Sequence, residues 1–176
     1  MKKILSLLLV SILAFTVSAC ADNKQSSDEK VVNAVSDSET FASNENAQLF
    51  FDKVTENKKL LDPVFRSVCG AWKSEESKTG ATVSDVNKAI NEALKQHSQN
   101  ITAINEADET ISQLYELAIK CPASTNVEQV MSLYVAYKKT VINADASTNP
   151  GGYNDASSAK NSLDKALRNL RTVLSA

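Results

Sequence analysis

Four glycines, three prolines and a single histidine are spread over 176 residues, and each scarcity excludes something. So few turn formers cannot serve the many tight reversals of a β-sandwich or barrel. Neither the zincin pattern nor the Glu-x-x-His pair of di-iron bundles is present. No nucleophile elbow, Ser/His/Asp spacing or phosphate-cradling glycine loop appears, and no Cys-x-x-Cys-His sequence attaches a haem. An excess of positive charge is missing too: 19 Lys and Arg stand against 21 Asp and Glu. That balance argues against nucleic acid or anionic lipid as the main partner. No alternating strand-like segment of useful length occurs either.

What the chain does have begins at its front. Lys2 and Lys3 precede an apolar stretch from Ile4 to Val17, and the small residues Ser18 and Ala19 lead to Cys20. The stretch is shorter than the roughly 20 apolar residues a membrane-spanning helix needs, and reads as a secretory signal. Val17-Ser18-Ala19-Cys20 resembles the lipobox of bacterial lipoproteins, a resemblance confined to the first twenty residues. It implies cleavage before Cys20, acylation of that cysteine and a lipid anchor on the mature chain. Ala21, where an aspartate would favour inner-membrane retention in that family, implies the outer membrane. An ordinary secretory signal with a coincidental cysteine is the plainer alternative. Removing residues 1–19 from 176 leaves 157, and losing Lys2 and Lys3 leaves 17 basic against 21 acidic side chains, a net charge near −4.

Residues 20–44 are rich in Ser, Asp, Asn, Lys and Glu and read as a flexible tether. From Glu45 to Ala176, apolar residues recur every three or four places, which predicts an all-α bundle of four to five helices with one long or kinked central helix. A first helix is expected from Glu45 to Leu60 with Leu49, Phe50, Val54 and Leu61 inward, ended by Asp62-Pro63. A second carries Val64, Phe65, Val68 and Trp72. The strongest pattern is a heptad track over 84–120. Val83, Ile90, His97, Ile104, Ile111 and Ala118 recur at sevens, with Leu94, Ile101, Asp108 and Tyr115 between them. Thr125-Asn126-Val127-Glu128 has capping-box form and opens a helix bearing Tyr134 and Tyr137 on its inner face. Asp145 to Tyr153 is the clearest loop, and Ala159, Leu163, Ala166, Leu167, Leu170 and Leu174 stripe the last helix.

Two cysteines remain beside Cys20. In an exported chain Cys69 and Cys121 are expected to pair as a disulfide. A straight hairpin turning near Gly80 opposes this, because Cys69 would lie beside about Leu94 and Cys121 about 40 Å away, beyond the roughly 7 Å a bridge allows. A break in the long helix across Ser98-Gln99-Asn100 would relieve the conflict. His97, on the apolar track, reads as a core residue, and with Met131 it is the one pair that could ligate a haem. Asp108, also on the track, needs a Lys or Arg from a neighbouring helix.

No cofactor, no metal site and no catalytic residue is expected. The reading is a non-enzymatic protein-binding or structural lipoprotein facing the periplasm, its partner a protein and its membrane link the lipid on Cys20. Tyr153, beside Gly151 and Gly152, is the candidate recognition residue; the polar face of the long helix is the other contact surface. An inhibitor or immunity lipoprotein against a periplasmic toxin or lysozyme is the second reading, since an acidic domain suits a basic enzyme. An enzyme or haem-carrying bundle is the third. The Leu-Thr-x-x-Gln repeat of one periplasmic chaperone family is absent, and Ser175-Ala176 replaces the terminal lysine of a murein lipoprotein.

Overall fold

The computed structural model describes residues 43–176; the expected signal 1–19, Cys20 and the expected tether up to 42 lie outside the described residues. Five helices and no strand occur among the described residues: α1 Glu45–Glu76, α2 Val83–Gln96, α3 Ser98–Ala118, α4 Ser124–Ile142 and α5 Gly152–Leu174. The all-α bundle expected from the periodicity is what forms. No helix among the described residues is long and apolar enough to cross a membrane.

α1 is the axis. Phe50, Val54, Asn57, Leu61, Val64, Val68 and Trp72, spaced three and four apart, form its buried stripe. The helix does not end at Asp62-Pro63, as the sequence suggests, but runs through Pro63 for 32 residues, about 48 Å. Proline removes one backbone bond and crowds the preceding turn, yet the stripe continues unbroken across it. Leu61 and Val64 are fully buried and Phe65 packs edge-on to Tyr137. Tertiary packing therefore overrides the local stop. Leu49, expected inside, is instead 49 % exposed.

After Gly80, which takes positive φ, the chain returns along α1. Thr82 and Asp85 form a capping box at the start of α2. The predicted long helix is split at His97, one residue ahead of the Ser98-Gln99-Asn100 trio. Ile90, Ile104, Ile111 and Ala118 of the heptad track are buried, while Val83 is exposed.

The antiparallel register is read from contacts. Asn100 donates to the Leu60 carbonyl, Asn57 to the Ile104 carbonyl, Phe50 faces Tyr115, and the Ala123 N–H donates to Asn44. This is the simple hairpin, and it separates the cysteines. Cys121 lies by the start of α1, whereas Cys69 is 25 residues beyond Asn44, about 37 Å along the helix. The expected disulfide is thus corrected: Cys69 and Cys121 are free, buried thiols.

α4 runs back parallel to α1, and α5 returns antiparallel and packs on both. Val127, Val130, Tyr134, Tyr137 and Val141 are buried on α4. No side chain caps α4, so the Thr125–Glu128 box does not form. α5 opens at Gly152, so the expected Asp145–Tyr153 loop ends at Gly151, two residues sooner.

Candidate binding furrow along α4

α3 and α4 pack closely to α1 but meet each other along little of their length. A groove of about 500 Å³ remains between them, lined by Ile111, Met131, Val135 and Ile142 and edged by Asp108, Lys138 and Lys139. Val135, at the rim, is 50 % exposed. Lys138 on α4 pairs with Asp108 on α3, the partner that Asp108 needs from a neighbouring helix.

Beneath the groove lies a polar element that the periodicity does not announce. Asn57, 2 % exposed, donates to the Ile104 carbonyl at 3.2 Å and to the Tyr134 hydroxyl at 2.7 Å. Its own carbonyl oxygen has no partner. Burial pushes the Tyr134 phenol well above its ordinary value, and nearby Asp108 adds to this against the Asn57 bond. The one available signal was position: Asn57 stands on the α1 apolar stripe, three residues after Val54 and four before Leu61.

A second hollow of about 330 Å³ adjoins the first, sharing Lys139 and Asn143. Trp72, Thr140, Asp145, Thr148, Asn149 and Gly152 line it. Its loop is fastened rather than loose. Asn87 of α2 donates to Asp145 at 2.9 Å and to Ser147 at 2.7 Å, and accepts from the Ala146 N–H at 2.7 Å. Gly151 has φ of +80°, a region that favours glycine. A Cβ on Gly152 would stand 2.9 Å from Trp72, so close approach explains the second glycine. Tyr153 is half-buried, edge-on to Trp72 at 5.9 Å with Lys73 Nζ 4.8 Å from its ring centre. Gly152 lines the hollow; Tyr153 does not.

Lys139 stands where the two hollows meet, exposed and without an ion-pair partner among the described residues. On the opposite side of α4, Tyr137 donates to Asp62 at 2.9 Å, and Lys58 bridges Asp62 at 2.7 Å and Asp164 at 2.9 Å. Lys160 completes this network on Asp164 at 2.7 Å. It ties α1, α4 and α5 together and holds α4 in register.

The remaining residues singled out in the sequence are not brought together. His97 is half-buried at the α2–α3 junction, next to residues that face the middle of α1, while Met131 lies in the α3–α4 groove. No group of three or more His, Cys, Asp or Glu that could hold a metal occurs among the described residues. No protein-family model, no curated protein and no solved structure matches the chain.

Proposed function

We propose that this chain is a non-enzymatic lipoprotein, held at the outer membrane by lipid on Cys20, whose helical bundle binds a protein partner along the α4 furrow. The observation carrying the binding reading is the continuity of two hollows through Lys139 and Asn143. Both hollows expose mostly apolar surface, and the Lys139 ammonium, without an ion-pair partner among the described residues, stands between them. A peptide segment with a carboxylate set between apolar side chains matches that arrangement. The fastened 143–151 loop supports it, because a pre-ordered surface loses little entropy on binding.

A photoreactive residue at position 135 tests the reading in living cells. A discrete protein adduct is expected there and none from position 92, an exposed residue on α2. Adducts at both positions alike, or at neither, would refute the furrow as a docking surface. Intact mass of the mature chain tests the anchor separately.

A further inference from the structure

Five large apolar residues of the described chain are well exposed: Leu49, Val83, Leu117, Val135 and Val173. Their placement is uneven. Leu49 precedes Phe50, which faces Tyr115, and Leu117 lies two residues past Tyr115. Val173 lies two residues past Arg171, whose guanidinium sits 5.8 Å from the ring centre of Phe51. Three of the five thus share one level of the bundle, about one helical turn from the start of α1. Val83 is at the opposite end and Val135 near the middle.

Two of the three belong to one face. Leu49, Phe51, Leu114 and Arg171 line a common surface groove with Asp52, Glu56, Lys53 and Lys59, and Lys53 is paired with Glu56 at 2.9 Å. Leu117 follows Leu114 at the i+3 spacing that places both on one side of α3. Val173 sits at the same level on the other flank of α5. Leu49 and Leu117 are 49 % and 46 % exposed.

We infer that this face, Leu49–Leu114–Leu117 with Arg171 and Lys59 beside it, docks on the lipid surface that anchors the chain. The inference rests on the lipid-anchor reading of Cys20. The occupant follows from where the chain enters: the segment that begins at Cys20 joins the bundle at Asn44, five residues before Leu49 and at the same end of α1. An anchor makes docking effectively intramolecular, so a modest apolar contact suffices to orient the bundle. Apolar side chains enter the headgroup boundary while flanking Lys and Arg meet phosphates. The chain as a whole is acidic, so apolar insertion drives the contact rather than charge. Docking by this end turns the α4 furrow's far end, with its 143–151 loop, away from the membrane and towards a partner.

The test uses the full chain, processed in cells and reconstituted into phosphatidylcholine vesicles containing brominated phosphatidylcholine. An environment-sensitive fluorophore is attached to Leu117→Cys and, separately, to Val83→Cys. Bromolipid is expected to quench the label at 117 by at least about twofold and to leave that at 83 unchanged, as shallow one-ended insertion requires. Adding Leu49→Asp to the 117-labelled chain is expected to abolish the quenching without changing the thermal melt, Leu49 being exposed. An acylated Cys20 with no quenching at 117, or equal quenching at both positions, overturns the docking and leaves the anchor standing. An unmodified Cys20 overturns the anchor reading and the docking with it.

Discussion

Asn57 shows what one polar side chain does inside an apolar stripe. Its amide joins the α3 backbone to Tyr134 of α4, so it acts on three helices at once. Asn57→Ala is expected to destabilise by about 1–3 kcal/mol, the cost of leaving buried partners unmade. Asn57→Asp should cost more, since a carboxylate would face the Ile104 carbonyl with no cation beside it. Urea denaturation of both variants checks the order; equal midpoints would contradict it. Cys69 gives a second test at this scale. Burial pushes its thiol up to about 11, against a smaller opposing effect of Lys73. At pH 8 the reactive thiolate is therefore scarce. Iodoacetamide should leave Cys69 unmodified in the folded chain, and alkylate both Cys69 and Cys121 after unfolding without reductant. Mass spectrometry would detect the alternative, a pair resistant to alkylation. Asn57 was visible only as a break in the stripe. Its partners were not, because hydrogen bonds over 47 and 77 residues leave no mark on local spacing.

At the scale of the element, local signals predicted helix well and helix ends poorly. Phe50, Val54, Leu61, Val64, Val68 and Trp72 are one periodic set, and this continuity was itself present in the sequence across Pro63. The proline rule and the stripe disagree there, and burial of six large side chains outweighs one missing backbone bond. Pro63→Ala is accordingly expected to stabilise the protein, by up to about 3 kcal/mol. A raised melting temperature checks this; a fall would mean that Pro63 has a favourable role at its site. The 84–120 track illustrates the reverse case. A perfect heptad ran through His97, yet α2 ends and α3 begins there. Periodicity reports which face is buried, and a one-residue interruption that preserves the face is nearly silent in it.

For the whole molecule, charge pairs that cross between helices set the pH range of stability. Burial of Asp164 opposes ionisation, but Lys160 and Lys58 outweigh it and hold the carboxyl below its ordinary range. Its contribution is present above the unfolded value and is lost as pH falls through the lower, folded one. Burial likewise opposes the charge on Lys58, while Asp62 and Asp164 together raise its ammonium above the ordinary value. Burial, then Asp62, pushes the Tyr137 phenol up. Both groups contribute fully below their unfolded values, near pH 10, and that stability is lost at more alkaline pH. Melting temperatures are thus expected to plateau at neutral pH and to fall below about pH 4 and above about pH 10. In Asp164→Asn the acid-side fall should become shallower. An unchanged acid limb in that variant would contradict the role given to the network.

The chain's own order of residues was enough to specify helices, most of their buried faces, the absence of strands among the described residues and a loop starting near Asp145, because each depends on neighbours within a turn or two. The lipobox-like front likewise needs only adjacent residues to be read. Packing settled the rest. It joined two expected helices into α1, placed Cys69 and Cys121 at opposite ends, gave Asp108 its lysine, and opened the furrow between α3 and α4. Those outcomes depend on which residues, far apart in the chain, come to lie at the same height of the bundle. That height is set by packing α1 against each of the other four helices, and no local pattern encodes it.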